Sequence, residues 1–217
     1  MSSAKYVDMC SGPILRKMIV FTLPIMFSGL FQLLFNATDI IIVGKFAGDN
    51  ALAAVGSNTA LINLMTNIFI GLSIGANVTA ARYCGAKNYT ELRKTVHTSM
   101  LLSVISGVIL MAAGLCFAEQ ILGWMSTPES IIGMASDYLR IYFCGMPFMM
   151  IYNFGNALLR AAGDTRRPLI YLICGGVMNV ILDLVFVIAL DMSAAGVGLA
   201  TALSLGVSAA LMIRCLV

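Results

Sequence analysis

The sequence predicts an all-α integral membrane protein. Of its 217 residues, 60% are hydrophobic and only 11% are charged, whereas charged residues make up about 25% of an ordinary soluble domain. The hydrophobic residues are gathered into runs near the roughly 20-residue length that crosses a bilayer as a helix. Short polar connections separate these runs and leave no room for a soluble domain between them.

The hydrophobic runs predict six transmembrane helices. The first run is too long for a signal peptide and lacks a small-residue cleavage site, so it is interpreted as a retained span. The predicted spans are residues 17–44, 52–81, 96–117, 132–159, 169–190 and 195–216.

Basic residues predict the orientation, because Lys and Arg concentrate in the cytoplasmic connections of membrane proteins. The first, third and fifth connections hold only Lys45, whereas the N-terminus and the second, fourth and final segments are basic. Both termini are therefore predicted to be cytoplasmic, in the plasma (inner) membrane. The basic residues on that side are Lys5, Arg16, Lys17, Arg82, Lys87, Arg93, Lys94, Arg160, Arg166, Arg167 and Arg214.

Residues near the outer boundary have simple interpretations. Arg140 is expected to extend toward the interface or to pair with Asp137. Trp124 and Tyr138 suit the aromatic belt at the membrane surface.

Two acidic residues within the spans are the main functional candidates, because ionisable groups inside membranes are costly and mark functional sites. Asp183 follows Asn179 by one helical turn, and Asp39 shares a face with Gln32 and Asn36. A rise of about 1.5 Å per residue places both acids at similar depth in the outer half of the membrane. Thr201 reaches the same level on the sixth span.

Either of two ions fits this polar group. An aspartate removed from water binds a proton more readily, and a neighbouring carboxylate strengthens this tendency. If both acids are ionised instead, Asp39 and Asp183 with the Asn179 carbonyl and the Thr201 hydroxyl form an oxygen set for a monovalent cation such as sodium. A helix-packing hydrogen bond is the simpler alternative for each acid taken alone.

Other polar residues follow the faces of the first, second and fourth spans. Cavity lining and helix packing explain them about equally well, because small polar side chains often join membrane helices. The candidates for a substrate cavity are Gln32, Asn36, Asn63, Asn153 and Asn156.

Several motifs, in order and at natural spacing, resemble the N-terminal half of MATE-type multidrug and toxic compound extrusion transporters. The likeness covers nearly the whole chain. It is carried by Pro24, Gln32, Asp-Ile-Ile-Ile-Val-Gly at 39–44, Ala-Leu-Ala-Ala-Val-Gly at 51–56, Arg-Tyr-Cys-Gly-Ala at 82–86, Leu-Leu-Arg-Ala-Ala-Gly-Asp-Thr at 158–165 with Pro168, Asn-Val-Ile-Leu-Asp at 179–183 and Ala-Ala-Gly-Val-Gly-Leu-Ala-Thr at 194–201.

The resemblance implies an antiporter that is driven by H+ or Na+ and exports amphipathic, often cationic drugs or toxins by alternating access. It also implies that Asp39, Asn179, Asp183 and Thr201 form the cation or proton site of the N-terminal lobe. Family members have twelve helices in two lobes related by an axis along the membrane normal. Residues 1–217 are thus expected to form one six-helix lobe, with the C-terminal lobe missing through truncation or replaced by a second copy in a homodimer.

Other functions are less well supported by the sequence. A flippase for lipid-linked precursors or polysaccharides would need a more cationic cavity than Arg140 and Arg160 provide. A membrane fragment without transport is the third possibility. An enzyme, a nucleic-acid partner and a cofactor other than the coupling ion are not expected. His97, the single histidine, is interpreted as an interfacial residue. The six cysteines lack metal-ligand spacing and are expected to be free thiols.

Overall fold

The computed structural model describes residues 14–216, which are helical almost throughout and contain no β-strand. Two residues covered by the sequence-based expectations, the basic Lys5 and Cys10, one of the six cysteines, lie outside the described residues. The helices are α1 (Ile14–Ile42), α2 (Asp49–Gly85), α3 (Tyr89–Trp124), α4 (Glu129–Cys144), α5 (Met146–Ala161), α6 (Arg166–Asp183) and α7 (Ser193–Leu216). Two π-helical segments, Val43–Ala47 and Leu184–Ala189, extend α1 and α6.

Five helical segments are long and apolar enough to cross a membrane. They are Ile14–Ala47, Asp49–Gly85, Tyr89–Trp124, Arg166–Ala189 and Ser193–Leu216. These segments coincide with five of the six predicted spans and extend most of them by several residues at the ends. The predicted all-α membrane class is confirmed.

The structure divides the predicted fourth span, 132–159, into α4 and α5. Each has 16 residues and is therefore about 24 Å long, short of the roughly 30 Å hydrocarbon core. The interruption falls at Gly145, because Pro147 has no amide hydrogen for the carbonyl of Phe143 one turn earlier. The Gly145 amide instead donates to the Tyr142 carbonyl at 2.9 Å.

Small residues let the neighbouring helices close around this interruption. A Cβ atom on Gly107 of α3 would lie 2.5 Å from the Pro147 Cα, and one on Gly145 would lie 2.9 Å from the Ala202 Cα of α7. The core beside it includes the fully buried Phe143 and Met146. Close packing of this kind supplies much of the attraction between helices in a membrane, where burial from water contributes little.

Most basic residues lie at one end of the helix bundle, called the basic end below. The basic end holds the start of α1, the α2–α3 and α5–α6 connections and the end of α7. There, Asp164 accepts hydrogen bonds from the Arg166 and Arg167 amides at 3.1 Å and pairs with the Arg167 guanidinium at 3.1 Å. The carboxylate thereby caps the first turn of α6.

Two expectations about side chains at the opposite end need correction. Arg140 pairs with Glu119 of α3 at 2.9 Å, not with Asp137 of its own helix. Tyr138 is buried, so it does not belong to an aromatic belt, whereas Trp124 is 84% exposed. The expectation of free thiols is confirmed for the five cysteines within residues 14–216.

We expect Gly107→Val to lower the free energy of unfolding by about 1–3 kcal/mol, because the new side chain meets backbone atoms of Pro147 that cannot move aside cheaply. Gly71→Val is the matched control, since an added Cβ at this helix-interior glycine meets nothing within 4 Å. Thermal unfolding of both variants in detergent checks the prediction, which is wrong if their midpoints coincide.

Candidate functional site

The two predicted acids meet between α1 and α6. Their carboxyl groups lie within hydrogen-bonding reach of each other. Asp183 is fully buried, and Asp39 is half-buried with its Oδ1 atom shielded from solvent. Residues separated by most of the chain therefore form one acidic pair.

No donor among residues 14–216 neutralises this pair. Asp39 Oδ1 and both carboxyl oxygens of Asp183 are buried and receive no hydrogen bond from any group among the described residues. Two unneutralised carboxylates in such a place would repel each other and would also lack the solvation that water provides. A proton or a cation held between α1 and α6 would remove this repulsion.

Asn179 and Thr201 make a second polar contact beside the acids. The Asn179 amide donates to the Thr201 hydroxyl at 3.5 Å, and this hydroxyl donates to the Val197 carbonyl at 2.9 Å. Asn179 is one turn before Asp183 on α6 and is buried like it. The four predicted residues thus occupy adjoining positions on α1, α6 and α7.

Two tyrosines of α4, which the sequence interpretation did not assign to the site, also approach it. The phenol groups of Tyr138 and Tyr142 lie close enough to Asp39 to interact with it electrostatically. Their ring centroids are 5.9 Å apart. The i, i+4 spacing of the two tyrosines was the available signal, because it places both hydroxyls on one face of α4.

Both acids stand just before a change in helix type. Asp183 is the last residue of α6 and precedes the π segment Leu184–Ala189, while Asp39 is one turn before the π segment Val43–Ala47. The two π segments also contact each other. Such wide turns occur often at functional sites, and the hydrophobic pattern of these stretches contains no sign of them.

A pair of glycines allows the three helices to approach one another at this level. A Cβ atom on Gly176 would lie 2.0 Å from the Phe35 ring of α1, and one on Gly175 would lie 2.0 Å from the Ser208 hydroxyl of α7. The pair precedes Asn179 by one turn. Any larger residue at either position would hold a neighbouring helix away from α6.

The candidate cavity residues are more scattered. Gln32, Asn36 and Asn63 are exposed on α1 and α2. On α5, Asn153 donates to the Met149 carbonyl at 3.0 Å, and Asn156 has a buried carbonyl oxygen that no described residue partners. Their role in binding substrate stays a prediction.

A hydrogen bond between helices explains a second polar residue of α2, Asn77. The Asn77 amide donates to the Ala157 carbonyl of α5.

A family model described as MatE matches residues 24–185, which include α2 to α5 and both acids of the pair. The chain belongs to the MatE family. One similar protein is the "Probable multidrug resistance protein YoeA" of Bacillus subtilis (strain 168), 34% identical over 77% of this chain and 36% of its own. Another is the "FAD transporter" of Shewanella oneidensis, 28% identical over 80% of this chain and 38% of its own.

Solved MatE-family structures match the fold along the chain. One, titled "Outward-facing conformation of a multidrug resistance MATE family transporter of the MOP superfamily", has a TM-score of 0.91 at 26% identity. The match covers 100% of this chain and 48% of the other. This chain therefore has the fold of one half-length lobe, as predicted, and spans less than half of the curated relatives it matches. The family is one of transporters and not of enzymes.

We expect Gly176→Val to lower the thermal midpoint by separating α1 from α6. Adding Phe35→Ala should recover part of the loss, because it removes the ring that the valine meets. Gly29→Val on α1, where a Cβ contacts nothing within 4 Å, is the control. Unfolding curves of Gly176→Val, Gly29→Val and the double variant Gly176→Val with Phe35→Ala test this; a double variant no more stable than Gly176→Val alone would contradict it.

Proposed function

We propose that this chain is one lobe of a cation-coupled antiporter that exports amphipathic, often cationic organic compounds by alternating access. The observation that carries the proposal is the pair Asp39 and Asp183, buried within candidate membrane spans and neutralised by no described donor. A pair of this kind changes its charge whenever it gains or loses a cation. Coupling of export to an ion gradient requires such a change of charge at the site.

The packing of α1 suggests how ion binding alters the lobe. α1 packs mainly against α6 and only slightly against α2. A bound proton or cation lets the two carboxyl groups stay in contact, whereas its loss leaves two charges that repel each other. Departure of the ion therefore favours movement of α1 away from α6, and a transporter needs two states of this type to alternate its access.

We infer that H+ is the better candidate for the coupling ion. One proton shared by Asp39 and Asp183 would make the hydrogen bond that their proximity allows. Na+ remains the alternative, with the Asn179 carbonyl and the Thr201 hydroxyl as further ligands. Sodium takes oxygen ligands from several directions, so it would need both of these residues to turn toward the acids.

Charge favours cationic export over transport of phosphorylated lipid precursors. Arg140, one of two cationic cavity candidates, is engaged by Glu119 near the exposed surface of α3 and α4. Arg160 is then the remaining candidate, whereas the site itself holds two acids. A precursor flippase is correspondingly disfavoured.

The proposed setting is the plasma (inner) membrane with the basic end in the cytoplasm. Arg82, Lys87, Arg160 and Arg166 lie at that end, as expected for the cytoplasmic side. The proposed partners are the bilayer, the organic substrate and a second six-helix lobe. The second lobe is a C-terminal half or another copy of this chain.

We expect Asp39→Asn and Asp183→Asn to reduce drug efflux to the level of cells without the transporter, because an amide cannot exchange a proton. Asp137→Asn, which alters an exposed acid of α4, should transport normally. The variants are compared at equal membrane expression, in cells that carry the chain with its second lobe. Normal efflux by both site variants would refute the assignment of the pair.

A proton-coupled transporter should export substrate from proteoliposomes under a pH gradient in sodium-free buffer. A sodium gradient with the pH difference collapsed by an ionophore should give no transport above leakage. The reverse result would identify Na+ as the driving ion. Running the 217-residue chain alone in the same assay distinguishes a self-sufficient homodimer, which transports, from a lobe that needs its other half.

A further inference from the structure

The first turns of α3 carry a basic patch that the transport site does not use. Tyr89, Thr90, Arg93, Lys94 and His97 line a surface cavity of about 450 Å³. All five side chains are exposed at the basic end of the bundle. The patch is on α3, whereas the acidic pair lies between α1 and α6.

The patch has positive charge to offer a ligand. Lys94 pairs with Glu91 at 2.7 Å, but Arg93 forms no ion pair with any residue between Ile14 and Leu216. His97 adds an imidazole N–H one turn further along the helix. An Arg and a His at i, i+4 present their donors on one face, which suits the oxygens of a phosphate group.

An apolar stripe continues from the patch toward the middle of α3. Leu101, Ile105 and Ile109 follow Arg93 and His97 at intervals of four residues, and they are 62%, 47% and 55% exposed. The stripe begins about 12 Å along the helix axis from Arg93. In a candidate membrane span this series leads from the headgroup region into the hydrocarbon.

We propose that the basic patch and the apolar series below it bind an anionic phospholipid. The headgroup phosphate occupies the cavity between Arg93 and His97, and an acyl chain lies along Leu101, Ile105 and Ile109. An acidic protein segment would match the charge of the patch but would not match the apolar stripe, which lies within the membrane span. The combination of the two features favours a lipid, which has both chemistries in one molecule.

Native mass spectrometry of the 217-residue chain in detergent tests the proposal, with phosphatidylglycerol or phosphatidylcholine added. We expect phosphatidylglycerol to be retained more strongly. Arg93→Gln with His97→Gln should reduce its binding at least about fivefold, the effect of roughly one surface charge, and should leave phosphatidylcholine unchanged. Lys87→Gln, an exposed basic residue in the preceding turn, is the matched control and should bind as the wild type does.

Further measurements distinguish binding of a whole lipid from binding of phosphate or an acidic peptide alone. Leu101→Gln with Ile105→Gln should weaken retention of phosphatidylglycerol although the charges are intact, and excess inorganic phosphate should not displace the lipid. Circular dichroism and elution volume confirm that each variant is folded. Equal retention of the two lipids, wild-type binding by the Arg93 and His97 double variant, or displacement by an acidic peptide would overturn the proposal.

Discussion

Burial of two carboxyl groups side by side, with no donor among residues 14–216 to neutralise them, is the main constraint on how α1 and α6 pack. Asp39 and Asp183 lie close where Gly176 lets Phe35 of α1 pack against α6, while Gly175 admits Ser208 of α7. In the proposed antiporter, a bound proton or cation compensates these charges. Packing would then be linked to ion binding, the kind of linkage by which a coupled transporter moves between states.

Several of the other helices interlock around the interruption between α4 and α5. Close approaches of Gly107 to Pro147 and of Gly145 to Ala202 lock the α4–α5 interruption between α3 and α7. α1, by contrast, packs mainly against α6. The lobe thus combines tightly interlocked helices with α1, which is held largely by its contact with α6. A change of charge at the acidic pair therefore acts on a helix that has few other packing contacts.

Hydropathy predicted five of the six spans, and the known rise of a helix converted sequence position into depth. The role of the four central residues stays a prediction. That reasoning from depth brought Asp39 and Asp183 to one level although most of the chain separates them. It missed Tyr138 and Tyr142, since depth alone does not say which way a helix faces. It also missed the π segments and the division at Gly145, which depend on local hydrogen bonding and on Pro147.

The peripheral position of α1 imposes an order on biogenesis. Asp39 enters the membrane early in synthesis, yet its partner Asp183 follows only after α2 to α5 have been made. Until then the nascent chain carries an isolated acid at a depth where isolation is costly. A chain cut before α6 would leave Asp39 in its span without the partner carboxyl that completes the acidic pair.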